Sequence, residues 1–190
     1  MQSIRTSTLK LGLRRRITCP HCWTEFPPHE TRWVSAHPDL RNDEKVGEDA
    51  QLRFLPSRFN FVGLAIDSKG VACSLLACPN CHLVVPRAML EMKPLFFSIL
   101  GAPGSGKSYF LASMIWQLRQ VLGASFRLAF GDADPTSNQL LNGYEETLFL
   151  NAKADDLVAL PKTEKAGELY QGVIIGQRTV WFPKPFVFTV

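Results

Sequence analysis

The chain has 190 residues, of which 46% are hydrophobic and 20% charged, and its formal net charge is +4. This composition is typical of a globular protein with one core and room for a small second module, and it excludes a mainly disordered chain. No apolar run approaches the roughly 18 residues of a membrane-spanning helix. We therefore expect no membrane partner and a cytoplasmic location.

The first segment, residues 1–16, is basic and contains no acidic residue. It lacks the apolar stretch of a secretory signal peptide, whereas its content of Arg, Ser and Thr leaves a transit peptide as the alternative to a plain basic segment.

Two cysteine pairs, Cys19-Pro20-His21-Cys22 and Cys78-Pro79-Asn80-Cys81, lie in the next region, residues 17–92. The C-x₂-C spacing lets both thiols of a pair bind one tetrahedral metal ion, and two pairs complete its shell. We therefore predict a zinc-ribbon module over residues 17–92, with an insertion between the pairs. Its structural Zn²⁺ is predicted to be held by Cys19, Cys22, Cys78 and Cys81.

Other chemistry remains open for the thiols, since a redox pair or unliganded cysteines share the same spacing. His21 and His82 flank the pairs, but four cysteines already close the shell, so no metal-centred catalysis is expected. Cys73 is predicted to be a small buried residue.

Charge gives little support for a nucleic-acid partner, because four thiolates and one zinc ion lower the net charge to about +2. The stretches RRRITC and RFLPSRF contain arginines, and the second also contains aromatic residues. This pattern can contact phosphates and bases, but it equally describes arginines that lie over an apolar surface. We expect a protein partner for the zinc module, with nucleic acid as the alternative.

An apolar run at residues 95–100 leads into the sequence GAPGSGKS, which matches the phosphate-binding P-loop pattern G-x-x-x-x-G-K-[ST]. The run predicts a strand that is buried on both faces of a parallel sheet. Apolar residues at helical spacing predict the helix that follows, with Gly123 as its end: Phe110, Leu111, Met114, Ile115, Leu118, Val121 and Leu122. A glycine-rich structural turn with an exposed lysine is the alternative.

The predicted nucleotide site consists of consecutive residues of this loop and the start of its helix: Gly101, Ala102, Pro103, Gly104, Ser105, Gly106, Lys107, Ser108 and Tyr109. The glycines let backbone N–H groups approach the phosphates, and the helix N-terminus adds partial positive charge. Lys107 is expected to reach the β- and γ-phosphates, and the Ser108 hydroxyl to coordinate Mg²⁺. The expected cofactor is GTP or ATP with Mg²⁺.

Further elements follow the predicted helix. Residues 125–130 alternate like a strand, and Asp134-Pro135 predicts the N-cap and first residue of a second helix. YQGVIIG and VWFPKPFVFTV predict two more strands. Alternating strands and helices indicate an α/β fold, here a P-loop NTPase three-layer sandwich over residues 93–190 that is incomplete at its C-terminal end.

Hydrolysis would require an acidic residue near the metal and a group that positions the attacking water. Asp132 is a candidate for the metal site, while Asp134 is favoured as a helix cap. Thr163 is a candidate for contact with Mg²⁺, with a plain surface threonine as the alternative. The catalytic residues are otherwise unassigned.

Seven motifs follow one another along the chain: ITCPHCW, RFLPSRF, LACPNCHLVVPR, SILGAPGSGKSYFLASMIWQLR, FGDADP, YEETLF and LPKTE. In this order the chain resembles bacterial proteins in which a zinc ribbon precedes a GTPase-like P-loop domain of the translation-factor-related (TRAFAC) class. These are akin to double-GTPase components of predicted conflict and signalling systems. The resemblance implies a nucleotide switch, with Lys107 and Ser108 as phosphate and Mg²⁺ residues and Thr163 in a switch loop.

Two elements that the resemblance implies, an Asp-x-x-Gly-like strand end and an Asn/Thr-Lys-x-Asp guanine-selecting loop, are absent from the sequence. Residues 94–190 are also shorter than the roughly 150 residues of a complete domain of this type. We therefore expect an N-terminal fragment of a longer protein.

Three function hypotheses follow. The first is a GTP-binding switch or hydrolase whose zinc module docks a partner. The second is an ATPase that is coupled to nucleic acid through the zinc ribbon. The third is a non-catalytic interaction module that the nucleotide only stabilises, and phosphoryl transfer to a small molecule also remains open.

Overall fold

The computed structural model describes residues 12–150, 159–160 and 169–190. Its α-helices are Lys107–Val121 (α1) and Pro135–Glu145 (α2). Its strands, in chain order, are Ile17–Thr18 (β1), Glu25–Phe26 (β2), Arg32–Val34 (β3), Arg41–Asp43 (β4), Gly47–Gln51 (β5), Arg53–Phe54 (β6), Ala65–Ile66 (β7), Ala72–Cys73 (β8), Leu76–Ala77 (β9), Val84–Val85 (β10), Gly131–Asp132 (β11), Tyr170–Ile175 (β12), Arg178–Pro183 (β13) and Phe188–Thr189 (β14). No helix in these ranges is long and apolar enough to cross a bilayer.

Each C-x₂-C pair lies in the turn of a short antiparallel hairpin. The first turn joins β1 to β2, and the second joins β9 to β10. The interval between the pairs contains β3 to β8 and a 3₁₀ turn at Pro28–Glu30. Since β3 pairs with both β6 and β9, these strands form a four-stranded sheet in the order β10-β9-β3-β6 with the second hairpin. The strand pairs β4–β5 and β7–β8 form two further two-stranded sheets.

A first hydrophobic cluster lies beside the cysteines. Its fully or almost fully buried members besides the cysteines are Ile17, Phe26, Leu76, Leu83, Val85, Met89 and Val173. Val173 belongs to the C-terminal hairpin of β12 and β13, and the neighbouring Ile174 N–H donates to the Lys45 carbonyl at 2.7 Å. The strand predicted at YQGVIIG is thus confirmed as β12, and the β12–β13 hairpin packs against the cysteine-containing region. The second predicted strand, VWFPKPFVFTV, is divided into β13 and β14, and β14 pairs with β11 instead.

A second cluster joins the two helices, which confirms both predicted helices. Its buried members are Ala112 and Ile115 of α1 and Leu141 and Tyr144 of α2. The end of α1 differs from the prediction, because the chain continues through Gly123 as a π-helical turn at Leu122–Phe126. It ends at Arg127, whose φ of 56° reverses the backbone direction.

The strands predicted at residues 95–100 and 125–130 do not form in the described structure. Leu95, Phe97 and Leu100 are 75%, 83% and 91% exposed. A buried parallel strand depends on neighbours at both edges, yet every strand pair among the described residues is antiparallel, and β12 and β13 pair with each other. The three-layer sandwich therefore stays a prediction.

In the segment expected to form a strand at residues 125–130, residues 125–126 belong to the π-helical turn and residues 127–130 form neither helix nor strand. A strand, β11, begins only at Gly131, and it pairs with β14. Two residues of the apolar pattern that predicted α1, Phe110 and Val121, are exposed. Among the described residues, no sheet covers that side of the helix.

Asp134 caps α2 as predicted, and its replacement is expected to weaken this helix. Its carboxylate accepts the N–H groups of Thr136 at 3.0 Å and Ser137 at 3.3 Å, with Pro135 at the first helical position. We expect Asp134→Ala to lower the free energy of unfolding by about 1 kcal/mol, because these two N–H groups lose their acceptor. Urea unfolding followed by circular dichroism would measure this change. Asp134→Asn should retain most of the stability, and an unchanged midpoint for Asp134→Ala would contradict the prediction.

Candidate metal centre and phosphate loop

The Sγ atoms of the four predicted ligands Cys19, Cys22, Cys78 and Cys81 all lie within 4.8 Å of one another. The Cys19–Cys81 and Cys22–Cys78 sulfur pairs are each 3.7 Å apart. Four sulfurs at about 2.3 Å from a tetrahedral zinc ion would be roughly 3.8 Å apart, so the tetrad fits such an ion. The predicted ligands thus lie together at metal-binding distance, which is consistent with a zinc ribbon.

The two turns that carry the cysteines have the same backbone hydrogen bonds. In each, the second residue after the first cysteine donates its N–H to that sulfur: His21 to Cys19 at 3.4 Å, and Asn80 to Cys78 at 3.3 Å. Such bonds stabilise negative charge on sulfur, which is the form that binds a metal ion.

The residue that follows each pair closes the turn. Trp23 and His82 have φ values of 61° and 60°, and their N–H groups donate to the carbonyls of Cys19 and Cys78 at 3.1 and 3.0 Å. Non-glycine residues rarely adopt this left-handed conformation. Its occurrence at both matching positions shows that the two halves of the tetrad are built alike.

Electrostatics within the tetrad oppose the presence of four thiolates without a cation. Hydrogen bonding with Cys19 lowers the pKa of Cys22 and of Cys78. Hydrogen bonding with Cys19 raises the pKa of Cys81, and hydrogen bonding with Cys22 raises the pKa of Cys19, so protons stay on part of the set. A divalent cation removes this conflict because its charge stabilises all four thiolates together.

The fifth cysteine and the flanking histidine stand apart from the tetrad. Cys73 is fully buried, as predicted, with its sulfur 3.5 Å from the Val71 carbonyl and 3.8 Å from an Asp67 oxygen. The His21 ring is hydrogen-bonded through Nε2 to the Val84 carbonyl at 3.0 Å. Neither side chain belongs to the metal-binding cluster found among the described residues.

The predicted phosphate loop immediately precedes α1. Gly104 and Gly106 have φ values of 78° and 82°, which an L side chain adopts only with strain, and α1 begins at Lys107. The Lys107 ammonium donates to the Gly101 carbonyl at 2.9 Å and the Ala102 carbonyl at 2.7 Å. The lysine thus lies across the loop, while the nucleotide-binding role of these residues stays a prediction.

The remaining loop residues surround this lysine. Ala102, Pro103, Gly104 and Ser105 are exposed, and the Ser105 N–H donates to the Ala102 carbonyl at 3.2 Å. Ser108 is the second residue of α1. The Tyr109 hydroxyl accepts the N–H of Leu160 at 2.9 Å, which ties the start of α1 to that residue.

Asp132 lies in a polar network that sequence reasoning did not find. Its carboxylate accepts hydrogen bonds from Arg119 at 2.9 Å, Asn138 at 3.0 Å and Asn142 at 3.1 Å. Although burial favours the neutral acid, these hydrogen bonds hold the pKa of Asp132 below its usual value. One feature of the sequence indicates this network: Asn138 and Asn142 are four residues apart, which places them on the same face of α2.

Arg119 is the centre of that network. It also donates to Glu145 at 3.2 Å, and its guanidinium lies 5.5 and 5.7 Å from the ring centres of Phe130 and Phe188. Arg119 therefore joins α1 to α2 and to the β11–β14 pair. A metal role for Asp132 stays a prediction.

Thr163, the predicted switch-loop threonine, lies outside the described residues. No protein-family model, curated protein or solved structure matches the chain. Function is therefore inferred from the residues themselves.

Proposed function

We propose that this chain binds a nucleoside triphosphate through residues 101–108 and that a structural zinc ion organises its cysteine module. The observation that carries the nucleotide proposal is the position of the G-x-x-x-x-G-K-S sequence, which leads into α1 through the left-handed Gly104 and Gly106. This arrangement supports phosphate binding, because loop N–H groups and the helix N-terminus offer partial positive charge at the same place.

Lys107 would supply the full positive charge of the site. In the described structure its ammonium is held only by two backbone carbonyls, those of Gly101 and Ala102. A phosphate oxygen is a stronger acceptor for an ammonium group than a neutral carbonyl. We therefore expect Lys107 to turn toward the β- and γ-phosphates of a bound nucleotide, with Ser108 oriented toward Mg²⁺.

GTP is the favoured nucleotide because of the motif order described above, and ATP is the alternative. A switch or hydrolase is the leading form of the proposal, with a protein that docks on the zinc module as the expected partner. The zinc ion is assigned a structural role, because four thiolates leave no open coordination position for a substrate.

A second candidate function is a nucleotide-binding module without hydrolysis. The observation that favours it is the Asp132 carboxylate, which accepts three side-chain hydrogen bonds from Arg119, Asn138 and Asn142. A carboxylate engaged in this way must break existing bonds before it can orient metal-bound water.

Titration of the full chain with fluorescent GTP and ATP analogues, with and without Mg²⁺, tests the proposal. We expect saturable binding that unlabelled triphosphate displaces and that Mg²⁺ strengthens, with much weaker competition by the monophosphate. Absence of binding by both analogues would contradict the nucleotide proposal. Phosphate release under saturating conditions separates the two candidates, because only the hydrolase produces phosphate faster than the nucleotide does alone.

A further inference from the structure

An open groove of about 970 Å³ lies between α2 and the cysteine-containing region. Thr136, Leu140 and Gly143 form its wall on α2, where their spacing of three or four residues places them on one face of the helix. Val46 and Leu83 line the opposite side. This volume lies within the range of roughly 300–1,000 Å³ for small-molecule sites, which often occur where two parts of a protein meet.

The side chains that carry a full charge in this groove are both cationic. Arg53 and Lys184 line it, and no carboxylate does, within the part of the chain that the structure describes. The Arg53 guanidinium is held in place by two neutral acceptors, the carbonyls of Gln51 and His82. Neither cation forms an ion pair with a described acidic residue. The groove therefore has two positive charges that no lining carboxylate balances.

The remaining lining combines apolar surface with hydrogen-bond donors. Leu83, Val84 and Leu140 supply apolar surface, and the side-chain amides of Gln139 and Gln171 can donate to an acceptor-rich ligand. Hydrogen bonds from a guanidinium or an ammonium group to an anion are stronger than those between neutral groups. We propose that this groove binds a small organic anion, an apolar or aromatic body that carries a phosphate, sulfonate or carboxylate group.

The proposed site is separate from the phosphate loop, because none of residues 101–108 lines the groove. The inference therefore does not rest on nucleotide binding by that loop. It also requires no metal ion, because the groups that would hold the ligand are cations, amides and apolar side chains.

Gly143 leaves room for such a ligand directly against the helix. Glycine inside a helix lowers stability relative to alanine, so its presence there needs a reason in packing or in function. A Cβ atom added at Gly143 would meet no atom within 4 Å. Packing within the described structure therefore does not require the glycine, whereas a ligand that lies against this face of α2 would.

Calorimetric titration of the full chain with naphthyl phosphate tests the proposal, and uncharged naphthol, which has the same aromatic body, isolates the contribution of charge. We expect saturable binding of naphthyl phosphate and at least about tenfold weaker binding of naphthol, because the cations would lose their charged acceptor. Lys107→Ala should still bind naphthyl phosphate at the groove, since Lys107 does not line it. Failure of the nucleotide proposal would thus leave this result unchanged.

Two variants locate the site. Gly143→Leu places a side chain in the groove and should abolish binding, while the unfolding midpoint should not fall because leucine is a better helix former than glycine. Gly123→Leu is its matched control, since Gly123 lies in the helical turn after α1, outside the groove, and also faces open space. Lys184→Gln should weaken binding at least about tenfold. Lys93→Gln, a change at an exposed lysine outside the groove, should not.

Lys184 is exposed, so Lys184→Gln remains informative where Gly143→Leu fails to fold. Four results would overturn the proposal: no saturable binding by the unaltered chain, equal affinity for naphthol, unchanged affinity in a folded Gly143→Leu or in Lys184→Gln, or loss of binding in Lys107→Ala. The last result would place the anion in the phosphate loop.

Discussion

Replacing Cys78 with serine is expected to release the bound zinc and to unfold the region built around the tetrad. Structural zinc contributes about 10–16 kcal/mol of apparent binding free energy in small modules, compared with a total stability of roughly 5–15 kcal/mol for a typical domain. Cys78 is fully buried in the first hydrophobic cluster with Ile17, Phe26 and Val173. Loss of one ligand therefore removes the metal ion, and the remaining cysteine side chains are then buried beside apolar residues without a cation.

Zinc content by metal analysis and the fluorescence of Trp23 and Trp33, both in this region, would measure the effect. Cys19→Ser should behave in the same way, because Cys19 lies 3.7 Å from Cys81 across the tetrad. Lower pH acts in the same direction, since protons compete with the ion for the thiolates.

Cys73→Ser is the matched control for these variants. It makes the same chemical change at a fully buried cysteine outside the tetrad, so it should retain one tightly bound zinc ion. One equivalent of zinc with an unchanged unfolding curve in Cys78→Ser would argue against a four-cysteine site.

Replacing Lys107 with alanine is the second change with a large expected effect, and it acts on nucleotide affinity. Each hydrogen bond from a charged donor contributes about 1.5–3 kcal/mol, so losing the ammonium should weaken triphosphate binding by roughly 10- to 150-fold. The fold should be unaffected, because the hydrogen bonds of the Lys107 ammonium to described residues go to the Gly101 and Ala102 carbonyls of an exposed loop. Calorimetric titration with GTP and ATP would measure the loss.

Lys93→Ala is the control, since it removes the same charge from an exposed position shortly before the loop. It should bind nucleotide like the unaltered chain. Equal affinity in Lys107→Ala and Lys93→Ala would show that residues 101–108 form a structural turn, the alternative that the sequence left open.

The sequence was sufficient to predict those features whose interactions join residues close together in the chain. The Asp134 cap depends on N–H groups two and three residues away. Each cysteine turn is closed by hydrogen bonds within four residues, and α1 and α2 follow from apolar spacing. These features are encoded in a few consecutive residues, so a pattern is enough to predict them.

Predictions were wrong where a segment depends on distant partners. Residues 95–100 have the composition of a buried strand but lie exposed, because none of the described strands pairs with them. The composition of an apolar run does not say which strand, if any, will lie beside it. The same holds for residues 125–130, where the helix continued through a glycine that was expected to end it.

The sequence by itself determined which four cysteines cluster, the two helices, the cap of α2 and the strand β12 of the C-terminal hairpin. Only the tertiary structure decided that His82 meets Asp43 across 39 positions, that Arg119 joins Asp132 and Glu145, and that Val173 lies in the core beside the cysteines. The physical reason is that side chains far apart in the chain meet only after folding has closed the loops between them. Burial then requires each polar group to find whichever partner the fold has brought near.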